Sequence, residues 1–252
     1  MDIRLDQAWI EAVMLAGVRI VAFLVIAPPF SYRGIPARIK AMLAVGLALA
    51  VSPQVVQGYV PTSTAAYFGA LVLELTTGAA LGFLVLIVFS AVQSAGSLID
   101  LFGGFSLAQG FDPQSMVNGA QFARLFQLTA LTLLFTSDGY QLILGGLVRT
   151  FTALPLGGAL DLSEPGQAMV GAVTQMFLAA VQIAGPLIVV LFLADVGLGL
   201  LTRVAPALNA FALGFPLKIL ITLTLAGVVF VALPRVVSTL TDDAVRLVMG
   251  LG

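Results

Sequence analysis

Leu101-Phe-Gly-Gly-Phe-Ser-Leu-Ala-Gln-Gly-Phe-Asp-Pro-Gln-Ser-Met-Val-Asn118 interrupts an otherwise apolar stretch of chain. Apolar blocks at 65–99 and 120–136 flank it, each rich enough in Leu, Val, Ala and Phe to read as membrane helix. Gly103, Gly104, Gly110 and Gly119 lack the Cβ that favours helix, Pro113 removes a backbone donor, and Asp112 before it is driven toward extended backbone. The helix stops here. Irregular backbone at membrane depth needs protein or water around it, because unpaired N–H and C=O groups cannot face lipid. Two readings follow: a plug, gate or re-entrant loop, or a plain solvent-exposed turn between spanning helices.

Working outward, the composition sets the class. The 252 residues are 60% hydrophobic and 9% charged, with a mean hydropathy of +1.11, against roughly 25% charged residues in soluble domains. This is an integral membrane protein, all-α and polytopic. The net charge of −1 provides no basic field for nucleic acid and no polybasic lipid-binding tract. Without Cys or His, the usual thiol nucleophiles and zinc, haem and iron–sulfur ligands are missing, so no cofactor is expected. The N-terminus, Met1-Asp-Ile-Arg-Leu-Asp, mixes acid with base and lacks a small-residue cleavage site, so the first helix is expected to remain.

About six hydrophobic blocks are expected in one domain, 1–252. The first, Ala8 to Ala27, carries Glu11 and Arg19 and ends at Pro28-Pro29. Arg33, Arg38 and Lys40 then form the densest basic cluster, which places that loop in the cytoplasm and the N-terminus and the 155–166 linker outside. A short helix at 41–52 is expected to close at Pro53. The block from Ala65 to Asp100 would span about 50 Å as one helix, against a hydrocarbon core of about 30 Å, so it must overshoot or bend. Its first half holds Gly78 and Gly82, a close-packing pattern for helix pairs. Its second half holds Ser90, Gln93, Ser94, Ser97 and Asp100 in one polar stripe. Arg124 needs a carboxylate or water, and Asp100 is the nearest candidate carboxylate across the loop. Ser137-Asp-Gly is a turn. Ser163 is expected to cap a helix with Pro165 near its first turn, and the 167–201 block is expected to kink at Gly185-Pro186. A last block, Phe211 to Leu233, is expected to give way to a polar tail carrying Arg235, Asp242, Asp243 and Arg246.

No catalytic constellation stands out. Glu74, Asp100, Asp112 and Asp195 have no histidine, Walker loop or Gly-x-Ser-x-Gly elbow beside them, and an enzyme is not expected. Glu74, Asp195 and Lys218 fit either a proton or ion relay or simple pairing that fixes helix register. Phe102, Phe105 and Phe111 fit either an aromatic seal, with Met116 as a deformable contact, or packing of the loop on its own helices.

Two stretches carry a resemblance. Ile99-Asp-Leu-Phe-Gly-Gly-Phe-Ser-Leu-Ala-Gln-Gly-Phe-Asp-Pro-Gln-Ser and Arg203-Val-Ala-Pro-Ala-Leu-Asn-Ala-Phe-Ala-Leu-Gly-Phe-Pro-Leu-Lys218 are similar to the FliR family of flagellar biosynthesis proteins, and the likeness in length and block order covers the whole chain. Arg203, Pro206, Asn209, Phe211, Gly214, Phe215, Pro216 and Lys218 match the family pattern. Ala207 and Ala210 depart from it, so the glutamine usual in that motif is not carried over. The resemblance implies a non-enzymatic, single-copy subunit of the type III export gate, assembled with P and Q subunits and an FlhB-type switch protein in the bacterial inner membrane at the flagellar basal body. It implies long kinked helices and helical hairpins shaped like a fusion of P and Q. The 101–118 loop would plug the channel for unfolded export substrates. The equivalent subunit of a virulence injectisome is the alternative, to which the Gly-Phe-Pro form of the motif is less suited. A small-solute secondary transporter is a third reading and calls for an internal pseudo-repeat, which the sequence does not show.

Overall fold

The computed structural model describes residues 6–32, 34–61, 63–105, 121–158, 163–205 and 210–250, without the side chains of 163–165 and 210–212. Seven helices and no strand occur among the described residues: α1 (Gln7–Ile26), α2 (Ala37–Val55), α3 (Thr64–Phe102), α4 (Gln121–Thr136), α5 (Gly139–Ala153), α6 (Ser163–Val204) and α7 (Ala210–Met249). Five of them, α1, α2, α3, α6 and α7, are long and apolar enough to cross a membrane. The α4–α5 pair, bent by 75°, makes a sixth crossing if counted as one span.

Local chemistry explains the boundaries. Asp6 caps α1 by accepting from the Trp9 N–H at 2.8 Å, which satisfies one of the donors orphaned at a helix start. The helix ends before the cis Pro28–Pro29 bond. Asp138 takes the left-handed conformation, φ 55°, at the Ser137-Asp-Gly turn. Ser163 is the first residue of α6 rather than a residue before it, and its side chain lies outside the described residues.

Two expectations need correction. Helix α2 starts at Ala37 and runs through Pro53 to Val55, so it is not a short segment closed by that proline. Pro53 has no N–H for the carbonyl four residues back, that of Leu49, and the Ser52 hydroxyl donates to this carbonyl at 2.8 Å instead. Helix α6 is one continuous element of 42 residues with Pro186 inside it, as a proline kink within a helix requires. The polar tail is the last third of α7: Val237, Leu240, Thr241, Ala244 and Val248 recur at helical spacing and are all buried. Helix α3 is a single element of 39 residues, about 58 Å long at 1.5 Å per residue, well beyond a hydrocarbon core.

The chain divides into two compact units. The first comprises Met1–Val88, Leu134–Val173 and Leu240–Gly252. Here α1 packs on α2, with Gly17 facing Ala48, and on α3 through two glycines. A Cβ at Gly78 would overlap the Arg19 carbonyl oxygen, and one at Gly82 would sit 3.0 Å from the Phe23 carbonyl oxygen. The glycine pair of the sequence is a backbone-to-backbone contact. Leu15, Ile20, Phe23, Leu24, Leu81 and Leu84 fill the core around it.

The second unit comprises Phe89–Leu133 and Thr174–Thr239. A Cβ at Gly96 would lie 2.6 Å from the Ala123 nitrogen, so α3 and α4 also meet backbone to backbone. The expected polar stripe on α3 is split. Asp100 is buried, Ser90 and Ser94 are half-buried, and Gln93 and Ser97 are exposed. Ser94 Oγ lies 3.7 Å from Met176 Sδ on α6.

Candidate functional site at the stem of the 101–118 loop

Helix α3 leaves the loop's first residues against α4 and α7. The Asp100 carboxylate accepts from two backbone N–H groups at the start of α4, Phe122 to Oδ1 and Ala123 to Oδ2, both at 3.0 Å. A helix N-terminus presents unpaired donors and the positive end of its dipole, so one carboxylate ties the two ends of the intervening segment together. The ring of Phe105 stands edge-on to that of Phe122 at 5.2 Å, and the series continues through Phe126 to Phe230 on α7.

Two glycines complete the stem. Gly103 N–H donates to the Ile99 carbonyl at 2.8 Å, and its missing Cβ would fall 2.8 Å from Thr222 Oγ1. Gly104 has φ +84°, a conformation that side-chain-bearing residues rarely adopt, and Phe215 Cδ1 lies 3.2 Å from its missing Cβ. The Gly-Gly of the loop and the Gly-Phe-Pro of the C-terminal motif, more than a hundred residues apart in sequence, therefore meet in one place. Thr222, Phe122, Phe126 and Phe230 belong to the same place and were not singled out from sequence. The signal available for them was spacing: Phe122 and Phe126 are one turn apart, as are Thr222 and Lys218.

The ionisable residues sort into three environments. Arg19 and Glu74 form a buried pair in the first unit, each 2% exposed, with Nε to Oε2 at 2.5 Å and Nη2 to Oε1 at 3.1 Å. The same guanidinium donates to the Leu154 carbonyl at 3.0 Å and the Thr150 carbonyl at 3.4 Å, and lies 4.4 Å from the centre of the Phe151 ring. Glu74 also accepts from Gly157 N–H at 3.0 Å. A buried charge needs partners for each of its donors or lone pairs, and this cluster supplies them from α1, α3, the end of α5 and the segment after it. In the second unit, Lys218 Nζ lies 2.6 Å from Asp195 Oδ1, with side chains 18% and 48% exposed. Arg124 is exposed and has no ion pair among the described residues, so of its two expected partners, water and the Asp100 carboxylate, it has water. Backbone N–H groups occupy that carboxylate, and the buried face of α4 carries Phe122, Ala123 and Phe126 rather than Arg124.

Of the other expected site residues, Phe102 ends α3 with its side chain more than a third exposed. Arg203 is exposed, and Gly214 packs against Leu198 of α6. Pro216 lies inside α7. Gly110, Phe111, Asp112, Pro113, Met116, Pro206 and Asn209 lie outside the described residues, as does the side chain of Phe211.

An apolar, multi-helix chain with a broken helix clasped at its base is a polytopic α-helical membrane protein, and the comparisons with known proteins give its family. The model of bacterial export proteins, family 1, matches residues 10–244, and the chain belongs to that family. It is 34% identical to flagellar biosynthetic protein FliR of Escherichia coli K12 over 86% of this chain and 84% of that protein. It is 30% identical to FliR of Bacillus subtilis 168 over 95% of both. It is also 31% identical to Yop proteins translocation protein T of Yersinia pestis, over 58% of this chain and 56% of that one. The chain is accordingly a FliR-type protein of the type III export class.

Proposed function

We propose that this chain is a non-enzymatic core subunit of the flagellar type III export gate in the bacterial inner membrane, at the flagellar basal body. In this reading it forms part of the protein-conducting channel with P and Q subunits, contacts an FlhB-type switch protein, and closes the channel with its 101–118 loop. The observation that carries the reading is the stem. Asp100 ties the loop's ends, and Phe215 and Thr222 of α7 stand against Gly104 and Gly103. A solvent-exposed connector needs no such clasp. The FliR matches extend over nearly the whole chain whereas the T-protein match covers 58% of it, which favours the flagellar over the injectisome assignment.

The ion pairs support packing over a relay. Arg19 with Glu74 and Lys218 with Asp195 are closed pairs within one chain. Assembly is tested by isolating the tagged chain from its native membrane in mild detergent. Co-purification with two other small polytopic proteins is expected. A chain that purifies alone and transports a small solute would contradict the gate.

A further inference from the structure

The Asp195–Lys218 pair lies in a hairpin with a defined register. Helices α6 and α7 meet at Asp195 with Lys218, 2.6 Å apart, and at Leu198 with Gly214, where a Cβ would be 3.4 Å from Leu198 Cδ1. Partner numbers that rise on one helix as they fall on the other describe an antiparallel pair. On α7, Phe215, Lys218 and Thr222 follow at spacings of three and four and form one stripe. The residue that grips α6 thus sits between the two that meet the loop stem.

The contact with the stem is close and incompletely satisfied. Thr222 is fully buried, and its hydroxyl has no hydrogen-bond partner among the described residues. A buried hydroxyl without a partner favours any arrangement that hydrates it. Apposition of Thr222 and Gly103 is therefore held by neighbouring contacts rather than by its own chemistry. Asp195 is half exposed, so the pair adds little to overall stability, and its consequence is geometric.

We propose that Asp195 and Lys218 are positioning residues for the loop. Their ion pair sets the register of α7 that presents Phe215 to Gly104 and Thr222 to Gly103, so the closed state of the conduit is governed from the α6–α7 hairpin as well as from the loop. This rests on the plug reading given above, and the test has one readout that does not. The intact complex is prepared with a benzophenone amino acid in place of Phe215, and the photocross-link to residues 99–105 is mapped by mass spectrometry. Lys218→Glu or Asp195→Lys should lower its yield by about two- to fivefold, the worth of a part-exposed pair, and the double exchange Asp195→Lys/Lys218→Asp should restore it. Lys218→Leu should fall between wild type and Lys218→Glu, since it removes the attraction without adding repulsion. The second readout is conductance of the complex in liposomes, expected to rise in each reversal and to return in the double exchange. A cross-link indifferent to reversal, or lost but not restored by the exchange, overturns the proposal. So does a conductance that rises on deletion of residues 105–111 but not on either reversal. If that deletion causes no rise, the plug reading fails and the cross-link alone decides the positioning role.

Discussion

The unit that contains α1 and the unit that contains the loop stem handle charge in opposite ways. In the first, Arg19 and Glu74 are both removed from water and satisfied by each other, two carbonyls, one N–H and a ring. In the second, Asp100 is satisfied by backbone alone, while Asp195 and Lys218 remain in reach of solvent. Apolar surface is buried unevenly from helix to helix. The best membrane windows of α1 and α3 are 44% and 50% buried within the chain, against 28% for α2 and 22% for each of α6 and α7. Val189, Phe192, Leu193, Val228 and Val231 of the second unit are all more than half exposed. Apolar area of that extent needs lipid or another protein against it. The two units differ in charge: the first withdraws its ion pair from water, whereas the second leaves its ion pair in reach of it.

Substitutions sharpen or break this contrast. The largest effect is expected from Arg19→Leu, which leaves Glu74 buried without a counter-charge and should destabilise by about 3–5 kcal/mol. Thermal unfolding in detergent measures it, and Arg19→Leu/Glu74→Leu should recover most of the loss. A single substitution as mild as Asp195→Ala would erase the distinction between the two units. Gly78→Ala places a Cβ against the Arg19 carbonyl and should cost about 1–3 kcal/mol in the same assay, the range for overpacking a tight contact. Asp100→Ala removes the cap from α4 and should cost about 0.5–2 kcal/mol, with faster hydrogen exchange at Phe122 and Ala123. Unchanged exchange there would mean the stem is held without Asp100. The smallest effect has the opposite sign: Thr222→Val keeps the shape, removes a hydroxyl that is unpaired among the described residues, and should stabilise by about 1 kcal/mol.

Much of this was legible in the sequence, and the failures have physical causes. Block lengths and Gly/Pro breaks placed the helices, because burial in lipid and loss of backbone donors act locally. Arg19 and Glu74 were visible as isolated charges, yet their pairing depends on which helices touch. The spacing did hold that information: Glu74, Gly78 and Gly82 are four apart on α3, and Arg19 and Phe23 are four apart on α1, so the glycine contact also brings the charges together. Asp100 is the carboxylate nearest to Arg124 in sequence, whereas the start of α4 offers it two N–H donors that no residue letter displays. Pro53 misled for a similar reason, since a neighbouring serine took the freed carbonyl. The meeting of Gly104 with Phe215 has no local signal at all. Only the recurrence of Gly-Phe-Pro in a family-like motif pointed to Phe215 as a residue of interest.

Under the proposed function, the clasped loop keeps a protein-conducting channel shut. The most direct test is the ion conductance of the reconstituted complex with and without residues 105–111. If the loop is the plug, the complex should still assemble but leak ions once these seven residues are removed, because an apolar constriction excludes ions by dewetting. Unchanged conductance in an intact complex would contradict it.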